Sequence, residues 1–155
     1  MTAPGPSKSE QILTAVEALL APTYGIKKDN LANPRIYRGR SEAIARPEVP
    51  ALVIDAVAEL SNSNVTNCRI FRTLLLRIRI HVQGDAASRV ADPIRCSIHS
   101  LLFSDPHLGG LTIRLRCSER RAAVEWDDEQ GDNSPGIVDL FYEYDFTTLE
   151  GDLTQ

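Results

Sequence analysis

No apolar run in the sequence approaches the roughly 20 residues that span a bilayer, so no membrane anchor is expected. The opening decapeptide, MTAPGPSKSE, lacks the basic-then-apolar order of a secretory signal, so export by that route is not expected and folding in a cytoplasm is. Cysteine is scarce. Cys68, Cys96 and Cys117 are odd in number and show no CxxC spacing, which argues against both a disulfide framework and a zinc ribbon. Positive charge is not in excess either: the net charge is −4, without the basic footprint that holds DNA by neutralising phosphates. Sequence-specific DNA binding is therefore not expected.

Catalytic signatures are also missing. His81, His99 and His107 share no metal-ligand spacing. The acidic run Asp127, Asp128 and Glu129 with Asp132 lacks the ligand order and closing glutamate of an EF-hand and reads as a solvated turn. Gly109 and Gly110 are not part of a dinucleotide fingerprint, and there is no Walker motif, GxSxG elbow or HExxH. We expect no catalytic residue, no cofactor and no resident metal; the chain does not read as an enzyme.

What the sequence does contain is alternation. In residues 73–82, TLLLRIRIHV, Leu74, Leu76, Ile78, Ile80 and Val82 share one face of an extended strand, while Arg77, Arg79 and His81 share the other. Residues 111–117 repeat the pattern, with Leu111, Ile113, Leu115 and Cys117 inward and Thr112, Arg114 and Arg116 outward. In residues 138–146, Val138, Leu140, Tyr142, Tyr144 and Phe146 alternate with Asp139, Phe141, Glu143 and Asp145. A parallel sheet covered on both faces would read as unbroken apolar runs, so these strands belong to an antiparallel-type sheet with one face covered. The other face is basic on two strands and acidic on the third. Neighbouring strands would pair these charges within the chain; separated ones would offer complementary patches to another molecule.

With 155 residues, 43% hydrophobic and 25% charged, the chain reads as one soluble globular domain. Residues 1–6 read as a mobile arm, 7–149 as the domain and 150–155 as a frayed tail. Ser7 and Glu10 form a capping-box pattern ahead of an apolar stripe, Ile12, Leu13, Val16, Leu19 and Leu20, and Pro22 is expected to end that helix. Residues 35–38 are a short extended candidate within a long polar connection. That connection carries Lys27, Lys28, Arg35, Arg38, Arg40 and Arg46, and reads either as a solvated loop or as one that meets an acidic neighbour or passing nucleic acid. Residues 51–60 read as a strand, and the turn-rich 61–67 joins it to the central strand as a hairpin. Val90, Ile94, Ile98 and Leu101 mark a second amphipathic helix, either kinked at Pro93 or beginning with Asp92 as its cap. The fold class is α+β: a mainly antiparallel sheet with two helices on one face.

The proline-led strand 50–55 with Glu59, the alternating strand 74–82, the Ala-rich helix around 86–102, the return DPHLGGL at 105–111 and the segment VEWDDEQGD at 124–132 come in a suggestive order. With the Tyr-containing strand 140–146 they give a chain that resembles the tail terminator, or tail-completion, family of long-tailed bacteriophages. The resemblance spans about 50–149 and resides in order and spacing, none of the motifs being specific alone. It implies a structural protein of the virion tail, made in the host cytoplasm, that forms a hexameric ring on the head-proximal end of the tail tube. Such a ring stops tube polymerisation and docks to the head. The implied partners are further copies of the chain, the tube protein and the head-tail connector, with DNA sliding through without specific binding. A head-completion or connector component stays open as an alternative, and a small-ligand module or enzyme as the outsider. We expect Arg77, Arg79, Arg114 and Arg116 to make subunit or tube contacts, or else to pair with Asp139, Glu143 and Asp145 within the chain. Lys27, Lys28, Arg35, Arg38, Arg40, Asp127, Asp128, Glu129 and Asp132 are expected on loops that order against a partner.

Overall fold

The computed structural model describes residues 4–24, 35–45, 48–83, 87–128 and 135–155. Helix α1 (Lys8–Tyr24) is followed by strands β1 (Arg35–Arg38), β2 (Ala51–Thr66) and β3 (Arg69–Gln83). Helix α2 (Ala87–Ser104) and a 3-10 turn (Leu108–Gly110) then lead into β4 (Arg114–Cys117), β5 (Val124–Asp128) and β6 (Pro135–Leu149). Among the described residues the sheet has six strands in the order β1-β2-β3-β6-β4, with β5 also on β6. Only the β1–β2 pair is parallel. The fold is α+β, as the alternation implied.

One core lies between the helices and the sheet. Ile12, Val16 and Leu20 of α1 and Ala91, Ile98 and Leu102 of α2 pack with Leu52, Ile54, Leu74, Leu76, Ile78, Ile80, Leu140, Tyr144 and Phe146. Each large apolar side chain buried there contributes about 1.5–3 kcal/mol, which is why period-two strands and helical stripes settle on one another. The start of α1 is capped as its sequence suggests, the Glu10 amide donating to Ser7 Oγ at 3.3 Å. The Glu10 carboxylate does not close the box; it accepts two bonds from Arg38 Nη2, each 3.0 Å.

Several expectations need correction. Pro22 does not end α1, which runs to Tyr24; a proline so near the end disturbs only the last turn. Of the two readings open for Pro93, the one that keeps it inside the helix is seen: α2 starts at Ala87, so Asp92 is not its cap. Val90 is 45% exposed, and Ala91 takes its place in the buried stripe. Residues 61–66 are not a turn: β2 pairs with β3 out to Thr66↔Arg69, and only Asn67 and Cys68 turn the chain. Both have positive φ, 54° and 60°, the backbone that a two-residue hairpin needs to match strand twist. Residues 111–113 are outside β4. Ile113 is 48% exposed, and Cys117 is exposed rather than part of the core.

Residues 150–155, read as a frayed tail, form hydrogen bonds with α1 and the hairpin turn. The backbone amide of Lys8, one of the free donors at the start of α1, donates to Leu153 O at 2.7 Å, and Gln11 Nε2 donates to Thr154 O at 3.0 Å. The Glu150 amide donates to Cys68 O at 2.7 Å, fastening the last residues beside the hairpin turn. After α2, Gly109 and Gly110 adopt φ of 65° and 94°, and the Gly109 amide donates to Asp105 Oδ2 at 3.0 Å; this is the return turn of 105–111.

Candidate interaction face

The sheet face turned away from the helices carries the charged residues picked out by their phase. Strand order decides what they do. Acidic β6 lies between the two basic strands, β3 on one side and β4 on the other, so the cations meet their counter-charges within the chain. Arg79 lies directly opposite Asp139 and grips it with two bonds, Nε to Oδ1 at 2.7 Å and Nη2 to Oδ2 at 2.8 Å. Arg114 is opposite Asp145 and donates to its Oδ2 from Nε and Nη2 at 3.1 and 3.0 Å. Arg116 Nη2 lies 2.7 Å from Glu143 Oε2 and 3.3 Å from Asp145 Oδ1. Arg77 turns the other way, its Nη2 donating to Asp55 Oδ2 of β2 at 2.8 Å. Of the two readings open for these arginines, pairing within the chain is the one seen, with Asp55 an unforeseen acceptor.

This face is also less wet than alternation implied. Val53, Leu75, Phe141 and Glu143 all lie on it and are buried. The segment between β4 and β5 explains the last two. The Ser118 amide donates to Phe141 O and the Phe141 amide to Ala123 O, both at 3.0 Å, so residues 118–123 bulge out of the edge around one residue of β6. From this bulge Arg121 sets its guanidinium 4.4 Å from the centre of the Phe141 ring. Ser118 Oγ donates to Glu143 Oε1 at 3.1 Å and the Glu119 amide donates to the same oxygen at 3.2 Å. Glu143 Oε2 faces Arg116 in Coulombic contact but out of line for a hydrogen bond. His81 is half-buried beside Arg79, and both burial and that cation hold its imidazole below the ordinary pKa, favouring the neutral ring.

The expected partner-ordered loops divide. Arg38 is tied to Glu10 and Glu17 of α1, at 3.0 and 3.5 Å, and Arg35 lies in β1. Arg40 pairs with Glu48 through Nη1–Oε1 at 2.9 Å and Nη2–Oε2 at 3.0 Å while stacking 4.5 Å from the Tyr37 ring. Arg38 and Arg40 are thus engaged by their own chain. Lys27, Lys28, Arg46, Glu129 and Asp132 lie outside the described residues; Asp127 and Asp128 belong to β5 by backbone, their side chains lying outside the description.

No family model matches the chain, and no curated protein matches it.

Beyond the charged face, a cleft of about 400 Å³ separates α2 from the β4–β5 edge, lined by Arg95, Cys96, His99, Cys117 and Tyr142 among others. His99 Nδ1 is 3.2 Å from Tyr142 Oη. Burial pushes the Tyr142 and Tyr144 phenols well above their ordinary range, so both stay protonated. Among the described residues no three His, Cys, Asp or Glu side chains are grouped to hold a metal ion, and no helix is long and apolar enough to cross a membrane. Of the residues on the charged face, exposed Phe71 and the cation Arg120 were not singled out from the sequence, and Ile113, read there as inward, is 48% exposed. Phe71 continues the outward phase of Thr73, Leu75 and Arg77, and that continuation was the available signal.

Proposed function

We propose that the chain is a structural tail terminator of a long-tailed phage or phage-derived tail: a ring that caps the tail tube, stops its growth and presents the head-docking surface. The observation that carries this reading is the order of the segments resembling that family. In the fold these segments form one continuous unit, β2, β3, α2, the 105–111 turn, β5 and β6, and not scattered pieces. Two further features support it. The sheet ends in two unlike edges, the four-residue parallel β1 and the β4–β5 edge broken by its bulge, so contact between copies through these edges is heterologous, the type that closes into rings. The net charge of −4 suits a channel in which DNA slides without sticking.

The test is the absolute mass of the purified protein by light scattering over a concentration series, repeated with assembled tail tubes. Six copies, or a smaller species that becomes a cap on tube ends, is the expected result. A monomer indifferent to tubes at every concentration overturns the reading and turns attention to a connector component.

A further inference from the structure

The charged face holds one groove whose cations are not fully used by the chain's own acids. It measures about 540 Å³ and runs between the start of β3 and the β4 edge, with Phe71, Ile113, Arg114, Arg116 and Arg120 among its walls and Asp145 in its lining. We propose that this groove docks an extended acidic peptide segment of a partner protein, one bearing a large apolar side chain between its carboxylates. The proposal stands on the groove alone and does not depend on the terminator reading.

Charge comes first. Asp145 already accepts from Thr73 Oγ1 at 2.7 Å, from Arg114 and from Arg116. Glu143 is fully buried and is held by Ser118, Glu119 and Arg116. Arg120 approaches Glu143 only at 3.9 Å, and its side chain is 46% exposed; that of Arg114 is 59% exposed despite its bonds to Asp145. A guanidinium has five donors in a fixed fork, so both cations retain donors for an incoming carboxylate. At the opposite end of the same face Arg79 grips Asp139 through two short bonds, and the Asp139 side chain is only 10% exposed.

Apolar surface comes second. Phe71 is 39% and Ile113 48% exposed, and both line this groove. Either alone is ordinary surface; together, between arginines, they form a seat for one apolar side chain with acids on either flank. A nucleic acid fits less well, because phosphate backbones are held by broad basic surfaces, whereas this groove is short, half apolar and contains Asp145.

The experiment is fluorescence anisotropy with labelled dodecapeptides of Glu and Asp around a single central Leu, Phe or Trp. Controls are the same peptides with Ser at the centre, lysine counterparts and a single-stranded oligonucleotide. The expected result is saturable binding of the acidic apolar peptides, weakened by salt and by about tenfold with either Arg120→Glu or Ile113→Ser. Ile113 is exposed, so its variant keeps the fold and isolates the apolar contribution, and circular dichroism checks both variants. Binding of no acidic peptide, or binding unaffected by both substitutions, overturns the proposal. So does tighter binding of the oligonucleotide, or self-association that Arg120→Glu abolishes and the peptides do not compete.

Discussion

Arg79 and Asp139 face each other across β3 and β6 and are joined by two parallel hydrogen bonds of 2.7 and 2.8 Å. The Asp139 side chain is only 10% exposed and that of Arg79 32%, so water screens the pair less than it would a surface bridge. A double-mutant cycle with Arg79→Leu and Asp139→Ala, followed by urea unfolding, should return a coupling energy of about 1 kcal/mol. Additive single mutants would mean that the bidentate geometry adds nothing beyond each residue's separate contacts.

Glu143 is the costlier acid to lose. Its carboxylate is fully buried and receives the Ser118 hydroxyl and the Glu119 amide while facing Arg116. Glu143→Ala leaves the Ser118 hydroxyl and the Glu119 amide without this acceptor, while Arg116 keeps Asp145 at 3.3 Å, so the cost should sit at the low end of the range for breaking a buried pair, about 3 kcal/mol. Denaturant unfolding should show a loss of that size, and hydrogen exchange should find the amides of residues 118–121 less protected. Unchanged exchange there would show that the bulge is held by its backbone bonds to Phe141 alone.

The sequence made this face legible in part, and the limit has a physical origin. Period-two alternation marked β3 and β6 because both strands are long and bury one side on the helices. The partner of each arginine was not marked, since the position of β6 between β3 and β4 is a long-range property that strand patterns do not encode. Ile113 and Cys117 were misjudged for a related reason: at a four-residue edge strand, neighbours set exposure and periodicity has little hold. Asn62 and its neighbours have turn composition, yet cross-strand pairing with β3 draws them into the hairpin. Nothing in residues 118–123 signals that they wrap Phe141; only the hydrogen bonds on either side of that residue show it.

The polar connection after β1 supplies a pH prediction. Arg40 first, then the Ala45 amide and the Tyr37 hydroxyl, hold the Glu48 carboxyl down at about 2, from an ordinary 4.5. A carboxylate depressed in the folded state contributes its full stabilisation above the unfolded pKa, near pH 4.5, and loses it as pH falls toward 2. Glu48→Gln should therefore melt below the parent protein at pH 6, and the gap should close progressively between pH 4.5 and 2. A gap that stays constant across this range would show that the carboxylate charge contributes nothing there.

The hairpin turn offers a stabilising change. Cys68 adopts φ 60°, where a side chain other than glycine or asparagine is strained, and it is exposed. The contact it makes with the tail runs through its carbonyl, which accepts from the Glu150 amide and does not depend on the side chain. Cys68→Gly should thus relieve the left-handed strain while keeping that bond, and the gain must exceed the larger entropy of glycine in the unfolded chain. The net expectation is a rise in stability of about 0.5–1 kcal/mol, read from the urea midpoint, with Cys68→Val shifting it the other way because a branched Cβ is worse in this conformation. Equal midpoints for the glycine and valine variants would mean that the turn relaxes freely and that the pairing of β2 with β3, not the turn, sets the hairpin register.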